Sequence, residues 1–268
     1  MRLVLLALVA AGCATAPPAA QDPSSADTTA TDPPRMGPVF AGPMRADPVY
    51  DAATLVAAMH DRYADAWPET VAFRHTTHRQ RDDGTVETEV WHERIALPGR
   101  LRVEMGDPLV GPDVLYARDS VFVFHDGALV ASEPGRSRPL LWAHDVYAQP
   151  PAATLQALRA EGVDLDAFRT DVWDGALVYV LGTPETGEAW VDRERLTVVR
   201  HVRQRAGGTE DLRFLEHAPL GGGWLARRVE TWDGDARVFW AETTDVEADV
   251  DLDPVLFDPR RWAEGVAE

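Results

Sequence analysis

Cys13 is the only cysteine in this sequence of 268 residues, and it is the first residue to ask about because a thiol can do chemistry. A thiol can be alkylated, ligate a metal or pair in a disulfide. One cysteine cannot form a disulfide within the chain, and a zinc ribbon needs several cysteines. We therefore expect Cys13 to be modified by an incoming group, and the folded part of the chain to be held by its core alone.

The residues before Cys13 have the pattern of a short export signal. Met1-Arg2 is a basic start, and Leu3 to Val9 form an apolar run. A membrane-spanning helix needs about 20 residues, so this run is too short to span a bilayer. Its length is typical of the apolar core of a secretion signal, and the small residues Ala10-Ala11-Gly12 lead from it to the cysteine.

The stretch Ala10-Ala11-Gly12-Cys13 resembles a bacterial lipobox, whose usual form is Leu-(Ala/Ser)-(Gly/Ala)-Cys. The resemblance implies that residues 1–12 are a signal peptide that is removed, and that Cys13 carries diacylglycerol on its sulfur and an acyl group on its new amine. Several acyl chains on one residue make a lasting anchor. Ala14, where Asp is the inner-membrane retention signal of enterobacteria, implies delivery to the outer membrane. The alternative is an ordinary signal peptide with an incidental cysteine.

Residues 13–48 are rich in Ala, Pro, Ser, Thr and Asp and show no apolar period. Such a composition cannot bury enough surface to offset chain entropy. We predict a lipidated, flexible tether that spans about 30–35 Å as a coil and about 100 Å when stretched as polyproline. Residues 49–268 then form one folded domain, since about 220 residues are enough for a sizeable core.

The chain is strongly acidic. Asp and Glu total 44 against 26 basic residues, all of them Arg, and the formal net charge is −18. A strongly acidic surface argues against nucleic acid and against anionic lipid headgroups as partners. We expect a monomer with no nucleic-acid partner.

The eight histidines are potential metal ligands. His75 and His78 lie three residues apart on a predicted strand, so they point to opposite faces. His92-Glu93 begins a zinc-protease pattern, but Ala96 stands where the second histidine is needed. The sequence contains no Gly-x-Ser-x-Gly motif and no phosphate loop; Gly221-Gly222-Gly223 is predicted to be a hairpin loop. We predict no metal site, no cofactor and no enzymatic activity.

An acidic run at 245–253 offers oxygens that calcium would accept. Alternation along a predicted strand places five acids on one face, from Asp245 to Asp253, and Val246 to Leu252 on the other. The run lacks the glycine turn of a calcium loop. A solvated acidic face over a core face is the simpler interpretation.

The order of elements predicts an α+β fold. Asp51 caps a helical stretch that ends before Pro68, strands follow, and two helices, RPLLWAHDVYAQ and PPAATLQALRAEGVDLDAF, interrupt the strands in the middle of the chain. Helices grouped inside an antiparallel meander favour one strongly curved sheet of about 11 strands, an incomplete barrel with the helices on its concave side.

Three segments resemble the family of the periplasmic lipoprotein carrier LolA and its outer-membrane receptor LolB. They are the opening helix with its two long strands, the segment 178–204 around Trp190-Val191-Asp192, and the closing strands that end in Leu256-Phe257-Asp258-Pro259. The resemblance covers most of 49–260. It implies an incomplete antiparallel barrel covered by a helical lid, and a role in binding lipid or acylated lipoprotein.

A half-barrel too wide for its own side chains leaves an apolar cavity for acyl chains. The candidate lining residues are Leu101, Val103, Phe122, Phe124 and Trp190 from the sheet, with Trp142 from the lid. Ordinary core packing is the competing interpretation of the same aromatic side chains.

These observations predict a lipoprotein held through Cys13 on the periplasmic face of the bacterial outer membrane. Its domain would bind lipid or acylated lipoprotein without covalent chemistry, for lipoprotein localisation or envelope lipid handling, gated by movement of the lid. The alternative is a non-catalytic envelope sensor or protein-interaction module of the same fold, similar to the RseB-type regulators. An aliphatic cavity favours the first function, and a filled core with an exposed apolar patch favours the second.

Overall fold

The computed structural model describes residues 49–106 and 112–262 of the chain. Its centre is one open antiparallel sheet of 13 strands. The strands are β1 (Thr70–Gln80), β2 (Val86–Ala96), β3 (Arg100–Met105), β4 (Pro112–Ala117), β5 (Ser120–His125), β6 (Ala128–Pro134), β7 (Phe168–Trp173), β8 (Ala176–Thr183), β9 (Gly187–Asp192), β10 (Val198–Arg205), β11 (Gly208–Leu220), β12 (Gly223–Asp233) and β13 (Ala236–Ala248).

The strands are paired in the order β6-β5-β4-β3-β2-β1-β13-β12-β11-β10-β9-β8-β7. The sheet therefore consists of two meanders that meet where β1 pairs with β13, with Val71 opposite Ala248. β6 and β7 are the two edges. The chain passes from one edge to the other through the helices in the middle of the sequence, as an antiparallel α+β fold allows.

Helix α1 (Ala52–Tyr63) begins where the sequence predicts. Asp51 is its N-cap and accepts a hydrogen bond of 2.7 Å from the backbone N–H of Thr54. This bond satisfies one of the backbone donors left free at a helix start. The helix ends at Tyr63, four residues earlier than the predicted stretch, and a turn carries the chain to Pro68.

The middle helices are shorter than predicted and are interrupted. Arg138–Leu140 (α2), a π-helical turn at Leu141–Asp145 and Val146–Ala148 (α3) run consecutively, and Pro151–Ala160 (α4) follows. A π-helical turn is rare and is often found at functional sites.

The glycine run Gly221-Gly222-Gly223 lies at the β11–β12 hairpin, against the chain that leaves α1. A Cβ at Gly222 would lie 2.5 Å from Cβ of Ala66, and a Cβ at Gly223 would lie 2.4 Å from the ring of Trp67. Only glycine allows two backbones to come this close. The run therefore provides a packing surface for the end of α1.

Side chains alternate between two faces of the sheet, which we call the helix face and the outer face. On the helix face, α1, the π-helical turn, α3 and α4 pack on strands β8 to β12 and form the main core; Tyr179 and Leu181 belong to it. Their neighbours Val178 and Val180 point to the outer face.

The outer face is covered in two ways. Over β2 to β5 lies the C-terminal segment, residues 252–262, with a short 3-10 helix at Pro254–Phe257. Over the other half, arginine side chains lie on tryptophan rings. The guanidinium of Arg200 is 4.4 Å from the ring centre of Trp173 and 5.0 Å from that of Trp190, and Arg213 is 4.2 Å from that of Trp232. We call these five residues the Trp–Arg ladder.

The predicted fold class is confirmed: one large, open antiparallel sheet with helices on one face. The predicted number of strands was about 11, and the structure has 13. One strand that the sequence did not indicate is β7 (Phe168–Trp173), whose first residue was assigned to the end of a helix. Most of β7 is exposed, so it carries no buried apolar stripe that would mark it as a strand.

The acidic run does not form one strand with an acidic face. The backbone takes positive φ angles at Asp245 and Asp249, and β13 ends at Ala248. Val246 therefore packs on the helix face and Leu252 on the outer face. Asp249 accepts the N–H of Glu69 at 3.1 Å and Asp253 accepts that of Val255 at 2.9 Å, so these two acids are acceptors for backbone N–H groups.

Candidate functional site

An apolar cluster covers the helix face of the first five strands. Ile95 lies opposite Leu101 across the β2–β3 pair, and Val103 lies opposite Val114 across the β3–β4 pair. We call this the β1–β5 cluster. Its buried members are Val71, Phe73, Trp91, Ile95, Leu101, Val103, Met105, Val114 and Leu140.

The helices cover the two halves of this face unequally. Among the described residues, Leu140 is the only helical side chain that belongs to the β1–β5 cluster, whereas α1, the π-helical turn, α3 and α4 all contribute to the main core. Tyr147 of α3 stacks on Trp67 with ring centres 4.0 Å apart, and its hydroxyl accepts the N–H of Val198 at 2.6 Å. The main core is thus fixed by many contacts, whereas in the described part of the chain the β1–β5 cluster meets the helices through one leucine.

A small cavity lies beside that leucine. It has a volume of about 140 Å³ and is lined by Leu140 and Tyr116 together with residues of the β2–β3 turn and the π-helical turn. Ordinary ligand pockets measure roughly 300–1,000 Å³, so this opening is too small for an acyl chain unless the helical segment moves.

Burial shifts the pKa values of two neighbours in the π-helical turn. Burial raises the pKa of Asp145 from 3.8 to about 6, although its Oδ1 accepts the N–H of Gly99 at 2.9 Å. Burial, with a smaller contribution from the nearby His75, lowers the pKa of His144 to about 4. Both groups favour their neutral forms, as expected in a low-dielectric environment.

A polar group lies on the same face at the centre of the sheet. Nδ1 of His75 is 2.8 Å from Oε1 of Glu93, and its Nε2 is 2.9 Å from Oγ1 of Thr243. The order of atoms is that of a hydroxyl–imidazole–carboxylate relay. Thr243, however, is only 4% exposed, and its hydroxyl lies 3.2 Å from the carbonyl of Ala226, to which it donates. The three side chains therefore connect strands β2, β1 and β13 and are not open to a substrate.

The part of the chain that the structure describes contains few other side-chain groups that could form a site. No group of three or more His, Cys, Asp or Glu side chains is arranged to hold a metal ion there. His78 stacks on Trp240 with ring centres 4.8 Å apart, on the side of β1 away from His75. Within the same ranges, no helix combines the length and apolar character needed to cross a membrane.

The residues predicted to line a cavity fall into three places. Leu101 and Val103 belong to the β1–β5 cluster. Trp142 lies in the main core, where its ring stacks on His201 with ring centres 4.3 Å apart. The third place is the outer face. Cys13, which is the predicted lipidation site and not a lining residue, lies outside the described residues.

Phe122, Phe124 and Trp190 lie on the outer face. Phe124 stacks on Trp262 with ring centres 4.2 Å apart, and Trp190 meets the ring of Trp173 at 5.8 Å. The sequence predicts that Phe122 and Phe124 share a face of the sheet. In the structure they share the outer face, whereas the helices pack on the opposite, helix face. Helix-face members that the sequence analysis did not propose include Phe73, Trp91 and Leu140; the alternation of Val71, Phe73 and His75 in β1 was the available signal.

Comparisons with known proteins address the fold. No protein-family model matches the sequence, and no curated protein matches it significantly. Among solved structures, a DUF1329 family protein from Desulfovibrio piger is similar with a TM-score of 0.52 and 15% identity, over 80% of this chain and 98% of that one. A LolA superfamily protein from Nitrosomonas europaea is similar with a TM-score of 0.51 and 14% identity, over 78% of this chain and 98% of that one.

A third structure, an outer membrane lipoprotein-sorting protein domain from Vibrio parahaemolyticus, is similar with a TM-score of 0.47 and 12% identity, over 78% of this chain and 96% of that one. The first two likenesses show that the chain has the fold of LolA superfamily and DUF1329 family proteins. The resemblance read from the sequence is confirmed at the level of the fold. A shared fold does not by itself assign a function.

Proposed function

We propose that this protein is a bacterial envelope lipoprotein, anchored through Cys13, whose LolA-like domain binds the acyl chains of a lipid or of an acylated lipoprotein. The chains would enter at the small cavity beside Leu140 and lie on the β1–β5 cluster. Export, lipidation and delivery to the periplasmic face of the outer membrane rest on the sequence around Cys13 and Ala14.

The observation that carries this proposal is the unequal cover of the helix face. The β1–β5 cluster is an apolar surface interrupted by the His75–Glu93 pair, and Leu140 is the single helical side chain on it among the described residues. Leu140 ends Arg138–Leu140, a single turn, and so short a helix is only marginally stable by itself. This turn can move while the π-helical turn and α3 stay in the main core. Displacing it would uncover apolar surface, and an acyl chain would replace the lost contacts at about 0.8 kcal/mol per buried CH₂.

The test is photo-crosslinking with a tripalmitoyl-cysteinyl peptide that carries a diazirine in its N-acyl chain. We expect crosslinks at helix-face residues such as Phe73, Val103 and Leu140, located by tandem mass spectrometry. Val121 lies partly buried at the rim of the cluster. Val121→Asp places a charge there and should lower the yield at least about fivefold, because a buried charge is costly.

Val86→Asp is the matched control, because Val86 is 46% exposed at the far end of β2 and lies outside the cluster. It should leave the crosslinking yield unchanged. Crosslinks confined to the outer face, or equal crosslinking yields for the two variants, would contradict the proposal.

A protein-interaction module of the same fold is the second candidate. The described members of the β1–β5 cluster are already buried, and apolar side chains are exposed at the sheet edge instead: Val172 of β7 is 57% exposed and Leu177 of β8 is 54% exposed. An edge strand with exposed apolar side chains can accept a strand from another chain. Failure of the peptide to crosslink anywhere on the protein would favour this candidate.

A further inference from the structure

A groove on the outer face lies between the β4–β6 strands and the C-terminal segment. It has a volume of about 560 Å³, within the range of roughly 300–1,000 Å³ for ordinary ligand pockets. An adjoining cavity of about 390 Å³ shares Arg118 with it. The groove is lined by Arg118, Phe122, Phe124, Leu129, Arg260 and Trp262, with Gly127 and Pro259.

The wall of the groove is held in place by a buried arginine. Arg102 is fully buried, and its guanidinium lies 3.5 Å from the ring centre of Trp262. It donates to Oε1 of Glu104 at 2.7 Å and to the carbonyl of Leu256 at 3.2 Å. Trp262 in turn stacks on Phe124. The groove is therefore preformed, which lowers the entropic cost of filling it.

The lining combines an apolar floor with positive charge at the rim. Phe122, Phe124, Trp262 and Leu129 supply the floor, and Leu129 is 51% exposed. The guanidinium groups of Arg118 and Arg260 are exposed, and neither forms a hydrogen bond or ion pair with another residue in the described ranges.

The adjoining cavity adds two more arginines, Arg100 and Arg261, and one acid, Asp258. The guanidinium of Arg100 lies over the ring of Phe257, 5.5 Å from the ring centre. On the other half of the outer face the pattern is different, because arginines such as Arg200 and Arg213 are paired with Asp211. Within the described ranges, the groove therefore presents two exposed arginines without a carboxylate partner. They make this site locally positive on a chain whose net charge of −18 otherwise disfavours anionic ligands.

We propose that this groove binds an anionic amphiphile, a single acyl chain with a carboxylate or phosphate head. The chain would lie on Phe122, Phe124, Leu129 and Trp262, and the head would accept hydrogen bonds from Arg118 and Arg260. Arginine forms charge-assisted bonds with both kinds of head. The groove lies on the opposite face of the sheet from the β1–β5 cluster, so this inference does not depend on the function proposed above.

The test uses the full chain with Cys13→Ser, so that no attached lipid can fill the groove. The probe is 11-(dansylamino)undecanoic acid, whose emission rises in an apolar site. The double variant Arg118→Glu/Arg260→Glu should weaken its binding at least about tenfold, since two charge-assisted bonds are lost and two repulsions gained. Leu129→Glu should weaken binding of the probe by a similar factor, because it places a charge on the apolar floor of the groove.

The matched control is Arg159→Glu/Arg227→Glu, which changes the same charge at two exposed arginines away from the groove. It should keep the affinity within about twofold, because distant exposed charges are screened. The residues substituted in the groove variants and in this control are exposed, and thermal unfolding followed by circular dichroism checks that each variant is folded. Val121→Asp, on the helix face, should leave binding of the probe intact, which separates a failure here from a failure of the proposed function.

Competition distinguishes the two heads. Palmitate and lysophosphatidic acid should both displace the probe, and whichever does so at lower concentration identifies the preferred head. Palmityl alcohol, which has the chain without the charge, should need at least about tenfold more. Absence of probe binding, equal competition by the alcohol, or equal affinity of the groove and control variants would overturn the proposal.

Discussion

Asp145 is the residue whose protonation should affect stability most directly. Burial raises its pKa to about 6, so the folded state holds this proton more tightly than the unfolded chain does. The stabilisation from protonation is complete below about pH 4 and is lost as the pH rises through about 6. His144 acts in the opposite direction: its pKa is lowered to about 4, so its contribution is lost as the pH falls from about 6.5.

Asp145→Asn removes the ionisation and keeps an oxygen that can accept the N–H of Gly99. We expect the variant to be more stable than the wild type at pH 8, by up to about 3 kcal/mol, and equal to it at pH 4, because a shift of two pKa units corresponds to about that energy. Thermal unfolding of both proteins across this pH range measures the difference, in which the contribution of His144 cancels.

Asp61→Asn is the control, because this carboxyl is exposed. This variant should lack the stability advantage that Asp145→Asn has at pH 8. An Asp145→Asn variant whose advantage is the same at pH 4 and pH 8 would contradict the assignment of the buried charge.

At this scale the sequence predicted which residues share a face but not which face the helices cover. Phe122 and Phe124 share one face of β5, as predicted, but it is the outer face. Val121 and its partner Tyr116 lie on the helix face, in the cluster with Leu140. Alternation has a period of two on either face, so it cannot choose between them. The choice is made by contacts with distant segments, such as Trp262 against Phe124.

At the scale of elements, the Trp–Arg ladder stabilises a part of the sheet that no helix of the described ranges covers. Arg213 lies over the ring of Trp232 and donates to Oδ2 of Asp211 at 2.9 and 2.7 Å. Stacked, hydrogen-bonded arginines keep water from the apolar surface of the rings while their charges stay paired. The ladder thus gives a half-exposed sheet face some of the packing of a second layer.

Arg213→Ala should lower the free energy of unfolding by about 1–2 kcal/mol, through the lost stacking and the lost partner of Asp211. Arg213→Lys should recover only part of this, because an ammonium lacks the planar stacking surface. Urea denaturation measures both. Arg159→Ala, at an exposed position of α4, is the control and should stay within about 0.5 kcal/mol of the wild type. Equal effects of the two alanine variants would contradict the stabilising role of the ladder.

Elements with a clear apolar pattern were predicted, and those without one were not. α1 has its cap at Asp51 and its stripe of Leu55 and Met59, and the structure places it there. β7 is an exposed edge strand without such a stripe, and it was missed. The interruption at Leu141–Asp145 has no local sequence signature, because a π-helical turn depends on what the segment packs against.

At the scale of the whole molecule, the single cysteine decides how the protein is attached. If Cys13 carries the lipid, the full chain expressed in a bacterial host should enter the detergent phase of Triton X-114, and Cys13→Ser should move it to the aqueous phase, because several acyl chains are needed for stable anchoring. Intact mass spectrometry of the two forms should differ by the mass of the attached lipid.

Moving the thiol is the matched control. Cys13→Ser/Ala20→Cys keeps one cysteine in the same stretch but outside the resemblance to the lipobox. This double variant should stay in the aqueous phase. If it partitions with the detergent, or if the unaltered chain does not, the anchor is not at Cys13.

The class of fold was predictable because strand and helix patterns follow each other in blocks along the chain. The order of the strands was not, since the pairing of β1 with β13 joins segments that are far apart in the sequence. No local pattern specifies such a pair.

That pairing has a consequence for the time course of synthesis. β1 is made early, and its partner on one side, β13, is the last of the described strands to leave the ribosome. At a synthesis rate of roughly 5–20 residues per second, about 10 to 35 seconds pass between the synthesis of β1 and that of β13. During that interval the first meander has an additional unpaired edge, formed by an 11-residue strand. An unpaired edge invites pairing with other chains, so the newborn protein is a natural client for chaperones until its last strand arrives.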